Sequence, residues 1–371
     1  AKRTTISELR HMPLKEDIRS SSTLPGSFYR NEALYRQSLD VVFANSWQLI
    51  GHRSQWTEGY QIPFVLLPGS LNEPLILHTG AEPFVSSNVC THRGFILVEK
   101  ERPSAPIRCR YHGRLFDANG CFRSMPEFED AADFPRREDD LARPSFVNWK
   151  GFFLCRISEG SSAHTIIDVL DERLGFFPFH DLQYSEERSS VFHVKAHWAL
   201  YCDNYLEGFH IPYVHQALNK VIDYGQYETH LFDSGTLQIG IGKEGEPCFD
   251  LPAGHPDQGK QVAAYYYWFF PNWMVNVYPW GISVNIVEPI DIGQTRVRFL
   301  TYVARPEMLD QGAGSGLHAV EMEDEEVVES VHRGLTSRLY RDGRFSPAME
   351  TGVHHFHLLL QHHMADFLLN N

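Results

Sequence analysis

The chain has 371 residues, 43% hydrophobic and 22% charged, a composition typical of a globular protein and unlike a disordered or collagen-like chain. At about 150 residues per domain, this length allows two domains or one large domain. The chain carries 33 basic and 47 acidic side chains, for a net charge of −14. This balance disfavours nucleic acid as a partner, because phosphate binding needs clustered Lys and Arg.

The sequence shows no sign of a membrane-spanning segment. Its longest uninterrupted apolar run, at 262–270, is less than half of the ~20 residues that a membrane-spanning helix needs. The first thirty residues carry charges without an apolar stretch, so we expect no secretory signal and a cytoplasmic protein. Six cysteines are too few for a disulfide scaffold, which favours metal binding or free thiols.

Three sections of the chain differ in pattern. In residues 1–46, apolar side chains from 31 onward recur every three or four positions, which predicts a helical segment that packs on the last section. In residues 47–157, short apolar runs alternate with turn residues, which predicts a small all-β module. In residues 158–371 we expect an antiparallel sheet covered by helices, so the predicted fold class is α+β.

The last section contains both strand and helix candidates. The strands are predicted at 238–241, 264–270, 273–278, 282–287 and 296–303. The helices are predicted at 166–177, 317–340 and 353–369.

The all-β module carries a Cys/His motif of the form C-x-H followed by C-x2-H, formed by Cys90, His92, Cys109 and His112. Two short loops of this kind each offer one thiolate and one imidazole. In a Rieske [2Fe-2S] cluster, two Cys hold one iron and two His hold the other. A structural Cys2His2 zinc site uses the same ligand types, but it normally pairs Cys with Cys and His with His along the chain.

On the segments C-T-H-R-G at 90–94 and C-R-Y-H-G-R-L-F-D at 109–117, the sequence resembles the Rieske domain of Rieske non-heme iron oxygenases. The resemblance implies that Cys90, His92, Cys109 and His112 hold a Rieske [2Fe-2S] cluster.

A second group of candidate ligands lies at 203–215. Glu207 and His210 are three residues apart and would share one face of a helix. His210 and His215 are five apart and could not bind one ion from an unbroken helix, so we expect Pro212 to interrupt the helix between them. Two imidazoles and a distant carboxylate form the 2-His-1-carboxylate site of mononuclear Fe(II) oxygenases, which leaves positions open for oxygen.

This segment also resembles the mononuclear iron motif of the Rieske oxygenases. The resemblance makes His210 and His215 iron ligands and makes Glu207 a bridge from His210 to a cluster histidine, His112 of a neighbouring subunit. Asn204 belongs to the same motif, and Asp203 is a candidate to assist the bridge. The family commonly has Asp at the bridging position. Glu at this position, as in Glu207, resembles the family members that act on quaternary ammonium compounds.

The third iron ligand must come from far along the chain. The acidic candidates are Glu321, Glu323, Asp324, Glu325, Glu326 and Glu350. Most residues of such an acidic run form a solvated helix face. The resemblance of residues 322–344 to the choline monooxygenase group selects Asp324.

The substrate pocket is expected beside these ligands. Tyr205, Phe209 and Tyr213 are interleaved with them and are predicted to line the pocket, where their rings would attract a trimethylammonium group by cation–π interaction. The aromatic run 265–269 is either sheet core or part of such a cage, and only alternate residues of a strand can face one pocket.

The resemblance implies a START-like, helix-grip catalytic domain and a terminal oxygenase. Such an enzyme takes electrons from NAD(P)H through a separate reductase with flavin and iron–sulfur centres, uses O2, and forms a homotrimer. The expected reaction is hydroxylation of a quaternary ammonium compound, either oxidation of a choline-type alcohol or N-demethylation of a betaine. Two alternatives are an aromatic-ring hydroxylase or O-demethylase with the same metal centres, and a non-catalytic Rieske electron-transfer protein.

Overall fold

The computed structural model describes residues 14–160 and 162–370, which divide into two compact units. One unit is Trp47–Ser161, and the other combines the residues before it with those after it. The fold class is α+β, as the sequence predicts.

The unit Trp47–Ser161 is built from ten short strands. They are β1 (Gln48–His52), β2 (Tyr60–Leu66), β3 (Glu73–His78), β4 (Phe84–Ser87), β5 (Arg102–Pro103), β6 (Ile107–Arg108), β7 (Leu115–Phe116), β8 (Phe122–Ser124), β9 (Ser145–Trp149) and β10 (Phe152–Arg156). These strands form three antiparallel sheets in the orders β1-β10-β9, β4-β3-β2-β5 and β6-β7-β8. The predicted all-β module is confirmed.

The other unit consists of one large sheet and its helices. The helices are α1 (Glu32–Ser38), α2 (His164–Leu174), α3 (Trp198–Tyr205), α4 (Ile211–Val214), α5 (Gln216–Val221), α6 (Leu317–Gly334) and α7 (Thr351–Asn370). The strands are β11 (Gln183–Val194), β12 (Glu228–Phe232), β13 (Gly235–Ile241), β14 (Val262–Phe269), β15 (Trp273–Tyr278), β16 (Gly281–Asp291) and β17 (Gln294–Val303).

The sheet is antiparallel in the order β11-β17-β16-β15-β14-β13-β12. The five predicted strands are β13 to β17, and the two edge strands, β11 and β12, were not predicted. Edge strands are partly solvated and need less apolar sequence. In β11 the run of Glu, Arg and Ser residues from 185 to 190 also coincides with a break in pairing register.

Histidines of the C-terminal helix α7 hydrogen bond to neighbouring segments of this unit. His354 donates to the carbonyl of Lys15 and His355 to the carbonyl of Phe232, both at 2.8 Å. His357 accepts from the backbone N–H of Leu24 at 3.1 Å and bonds to a carboxylate on α3. These side chains tie α7 to the N-terminal segment and to the sheet edge.

None of the helices in residues 14–160 and 162–370 has both the length and the apolar character that crossing a bilayer requires.

One buried ion pair supports both Cys/His loops of the smaller unit. The Arg114 side chain is 2% exposed, and its Nη2 lies 2.5 Å from Asp139 Oδ1. Its guanidinium also lies 4.9 Å from the ring centre of Phe122. The Arg114 carbonyl accepts from Cys109 N–H in one loop, and the Asp139 carbonyl accepts from the Thr91 hydroxyl in the other.

We expect Arg114→Met to lower the free energy of unfolding of this unit by about 3 kcal/mol, because it leaves the Asp139 carboxylate without its buried partner. Arg36→Met is the matched control. It removes an exposed i,i+4 pair with Glu32 and should cost ~0.5 kcal/mol or less. Urea denaturation followed by fluorescence measures both, and equal losses would contradict the supporting role of Arg114.

Candidate metal centres and active-site cavity

The two Cys/His loops have the same backbone geometry. Gly94 N–H donates to the Cys90 carbonyl, and Gly113 N–H donates to the Cys109 carbonyl, each at 3.0 Å. The two glycines have φ angles of +76° and +77°, in the left-handed region that favours glycine. Each loop is therefore a tight turn that begins at a Cys and ends at a Gly, with a His between them.

The side chains of these loops fit a Rieske cluster. Cys90 and Cys109 are buried and close enough to hydrogen bond, and the rings of His92 and His112 lie 4.8 Å apart. His112 Nδ1 is buried and has no hydrogen-bond partner within residues 14–160 and 162–370. Burial lowers the pKa of His92, and the nearby His112 adds to the effect, which favours the neutral imidazole that binds metal.

A single-ion zinc site fits these loops less well. Zinc would need all four donor atoms at about 2.0–2.3 Å from one point. In the described part of the chain, the one group of three or more His, Cys, Asp or Glu donor atoms within 4.8 Å of one another is His210, His215 and Asp324. The loops instead pair thiol with thiol and imidazole with imidazole, as a two-iron cluster requires.

The helix that leads to the second centre ends earlier than predicted. Helix α3 ends at Tyr205, and Glu207 and His210 lie in the turn before α4. Pro212 does not break a helix but occupies the first turn of α4, where its missing N–H costs nothing. At Gly208 the turn passes so close to Tyr227 that a Cβ would lie 3.0 Å from its ring.

This turn brings His210 and His215 together with Asp324, which α6 carries. The Nε2 atoms of the two imidazoles are 3.1 Å apart. Asp324 Oδ1 lies 2.9 Å from His215 Nε2 and 3.5 Å from His210 Nε2. Two imidazole nitrogens and one carboxylate oxygen thus converge on one point, which is the donor set of a 2-His-1-carboxylate iron site.

A carboxylate holds the other nitrogen of each imidazole. Glu207 Oε1 lies 2.6 Å from His210 Nδ1, and Glu323 Oε2 lies 2.7 Å from His215 Nδ1. Such carboxylates fix the ring orientation and the tautomer, so that Nε2 is free to bind a metal. Glu323 was among the six acidic candidates, but its contact with His215 was not predicted.

The electrostatics of this centre reflect these contacts. Burial opposes the charged form of His210, but hydrogen bonds to Asp324 and Glu207 outweigh it and raise the pKa of His210 to about 9. Burial opposes ionisation of Asp324 as well, yet its bonds to His210 and His215 hold the pKa of this carboxyl below its usual range. The same close contacts that would hold a metal cation therefore favour the charged forms of these donors.

A cavity of about 120 Å³ lies against this centre. One row of its lining crosses the sheet in direct register, from Gln238 to Tyr266, Asn276 and Ser283 on β13 to β16. Six aromatic rings line it, those of Tyr201, Tyr205, Tyr227, Tyr266, Tyr278 and Phe299. Tyr266 is the member of the aromatic run 265–269 that faces this cavity.

The tyrosine hydroxyls are held in a hydrogen-bonded chain. Tyr205 donates to Asn276 Oδ1 at 2.7 Å, and Asn276 donates to Asn285 Oδ1 at 2.8 Å. Tyr201 donates to Glu321 Oε2 at 2.7 Å. Burial raises the pKa of Tyr201 and Tyr205 well above the ordinary value, so both remain neutral.

The other predicted site residues are distributed unevenly. Asn204 and Tyr205 line the cavity, whereas Asp203 bonds to Tyr29 and His357, at 2.9 and 2.8 Å. The prediction that Phe209 and Tyr213 line the pocket is corrected. They are 39% and 79% exposed and do not line the cavity, because Phe209 lies in the turn after α3 and Tyr213 lies on an exposed face of α4.

Some cavity residues were not assigned to the pocket from the sequence. Tyr227, just before β12, was not considered, and Glu321 was named only as a candidate iron ligand. Tyr266 was left open between sheet core and an aromatic cage, because a strand pattern does not tell which face meets a cavity.

Family models match both parts of the chain. The model for the catalytic domain of ring-hydroxylating alpha subunits matches residues 180–366, and the model for the Rieske [2Fe-2S] domain matches residues 46–135.

Curated relatives match nearly the whole chain. Chloroplastic choline monooxygenase of Arabidopsis thaliana is 29% identical, over 94% of this chain and 85% of that protein. The carnitine monooxygenase oxygenase subunit of Escherichia coli K12 is 27% identical, over 91% of this chain and 92% of that protein.

A solved structure shares the fold. A quaternary ammonium Rieske monooxygenase in complex with its substrate L-carnitine has a TM-score of 0.72 and 22% identity, over 98% of this chain and all of that chain.

We expect Asp324→Ala to abolish binding of the mononuclear iron while the cluster is retained, because the site loses its only carboxylate donor among the described residues. Glu326→Ala, an exposed acidic residue on the same helix, is the matched control and should keep both. Iron analysis and electron paramagnetic resonance of the cluster measure the two centres separately. Full iron content in Asp324→Ala would refute the assignment.

Proposed function

Because this chain belongs to the ring-hydroxylating alpha-subunit family and carries a Rieske [2Fe-2S] domain, we propose that it is a terminal oxygenase that hydroxylates a quaternary ammonium compound. The reaction uses O2 and two electrons from a separate reductase with flavin and iron–sulfur centres, which draws on NAD(P)H. The observation that carries the proposal is a 2-His-1-carboxylate donor set beside a cavity lined by tyrosine rings.

The substrate class is supported by the relatives and by the cavity. The relatives act, by name, on choline and carnitine, which are both quaternary ammonium compounds. Tyrosine rings attract such a cation by cation–π interaction, at roughly 0.5–2 kcal/mol per contact. Among the described residues that line the cavity there is no Lys or Arg to pair with the carboxylate of an aromatic acid. Hydroxylation of an N-methyl group releases formaldehyde, and hydroxylation of choline's alcohol carbon gives an aldehyde hydrate.

We propose that Cys90, His92, Cys109 and His112 hold the cluster and that His210, His215 and Asp324 hold Fe(II). When bound, these groups supply single electrons and O2 activation. The protein's own side chains orient the metal ligands and bind the substrate. Glu207 and Glu323 direct the two imidazoles, and the tyrosine rings hold the substrate cation beside the site.

Glu207 has a second proposed role, to connect two subunits of a homotrimer. Both of its oxygens contact His210, one at the ring Nδ1 and one at the backbone N–H. A carboxylate has further lone pairs, so it can also accept a bond from a cluster histidine of a neighbouring subunit, predicted to be His112. The cytoplasmic location expected from the sequence likewise remains a prediction.

A single-turnover experiment tests the reaction. Anaerobic, chemically reduced protein is mixed with O2 and a panel of quaternary ammonium compounds and aromatic acids, and products are quantified by mass spectrometry. We expect formaldehyde or an aldehyde from one quaternary amine, with hydroxylated aromatic acids absent. Product from an aromatic acid alone would refute the substrate class while leaving both metal centres in place.

Complementation tests the connection between subunits. Cys109→Ala, which lacks the cluster, and Asp324→Ala, which lacks the mononuclear iron, should each be inactive alone. When the two are co-expressed with different tags and purified as mixed oligomers, activity should return, because an intact cluster then adjoins an intact iron site in another subunit. Mixed oligomers of Cys109→Ala with the Cys109→Ala/Asp324→Ala double variant are the control. Inactive mixed oligomers whose remaining centres are intact would contradict transfer between subunits.

A further inference from the structure

Apart from the two imidazoles of the iron site, the charged side chains that line the cavity are acidic. Three carboxylates line it, those of Glu207, Glu321 and Asp324, and none of its described lining residues is Lys or Arg. Glu207 and Asp324 are engaged with the two imidazoles. Glu321 is the carboxylate that the iron site does not use.

Glu321 lies on the face of α6 that lines the cavity. Leu317, Val320, Glu321 and Asp324 all line the cavity and follow the i, i+3, i+4, i+7 spacing of one helix face. Glu321 is 4% exposed, and Oε2 accepts from Tyr201. Its other oxygen, Oε1, is buried and has no hydrogen-bond partner within the described residues.

A buried carboxylate oxygen without a partner is costly and calls for a ligand. Burial raises the pKa of Glu321 to about 8, and the nearby Asp324 adds to the effect, although the Tyr201 hydroxyl opposes it. Without a nearby cation, Glu321 is therefore largely protonated at neutral pH, and a positive charge bound in the cavity would offset its burial and favour the carboxylate. The tyrosine rings around it suit a trimethylammonium group in particular.

A second cavity of about 340 Å³ shares lining residues with the first, namely Ser283, Phe299, Leu317 and Glu321. Within its described lining, the one Arg or Lys is Arg188. That guanidinium is already engaged by Asp310, through two contacts of 2.9 Å. A substrate that extends into this space with its own carboxylate therefore meets no uncommitted Arg or Lys there.

We infer that Glu321 makes this cavity select a net-cationic quaternary ammonium alcohol over a zwitterion that carries its own carboxylate. The inference rests on the proposed function and narrows its substrate class. A zwitterion would bring a second carboxylate beside Glu321 into a lining without Lys or Arg. The cation proposed to bind at His210 and His215 would already be paired with Asp324, so desolvation of the added charge would be poorly compensated. A cationic alcohol has no such group and pairs with Glu321.

The test is equilibrium binding to the anaerobic holoenzyme, so that no turnover occurs. Three probes of similar size differ in charge: choline is a cation, glycine betaine is a zwitterion, and 3,3-dimethylbutan-1-ol is the neutral carbon analogue of choline. For the wild type we expect choline to bind at least about tenfold more tightly than either other probe, equal to about 1.4 kcal/mol.

Glu321→Gln keeps the shape of the side chain and removes its charge. We expect choline affinity to fall about tenfold (~1.4 kcal/mol) and that of the neutral alcohol to change less than about twofold. Above pH 8, where Glu321 is ionised, the variant should be at least as stable to heat, since a neutral amide is easier to bury than a carboxylate. Glu325→Gln is the matched control. It lies one turn further along α6, also with a buried unpartnered oxygen, but lines neither cavity.

The outcomes separate this inference from the proposed function. If neither choline nor glycine betaine binds, the proposed function fails. If glycine betaine binds as well as choline, or if Glu321→Gln retains the preference for choline, the inference is overturned and the proposed function stands. Glu321→Asp retains the charge and should keep part of the preference for choline. If Glu321→Asp loses this preference as completely as Glu321→Gln, Glu321 acts through its shape and the inference is overturned.

Discussion

The candidate iron site depends on a carboxylate at the Nδ1 atom of each imidazole. An imidazole has two nitrogens, and a ring that is free to turn or to change tautomer presents either one. Glu207 and Glu323 remove this freedom, so both Nε2 atoms point to Asp324. The turn after α3, the position of α6 and the placement of the cavity all serve this arrangement.

The two carboxylates differ in how far along the chain they lie from the imidazoles that they hold. Glu207 lies three residues before its imidazole, and a tight turn is enough to join them. Glu323 lies 108 residues after His215, so the two side chains meet only when α6 has packed in its place in the folded unit. The site therefore forms as a unit with the catalytic fold, whereas the Cys/His loops of the other unit are closed by bonds between residues four apart.

This difference in range explains how much could be predicted. Candidate ligands such as Cys90 and His92 are close in sequence and stood out by their spacing, and His210 and His215 were selected by spacing together with the resemblance to a family. Asp324 needed resemblance to a family, because an acidic run does not show which member faces inward. The cavity was predicted least well, since its walls come from five strands and four helices, and proximity in sequence to the iron ligands did not show that Phe209 and Tyr213 lie outside the lining.

Three acidic residues with different tasks share about one turn of α6: Glu321 in the cavity, Glu323 on His215 Nδ1 and Asp324 on Nε2. Each residue advances a helix by about 100°, so inserting or deleting one residue upstream in α6 would displace all three together. Length variation in this part of the helix is therefore incompatible with retaining iron. A change of substrate charge in this lineage must then evolve by side-chain replacement at fixed helix length.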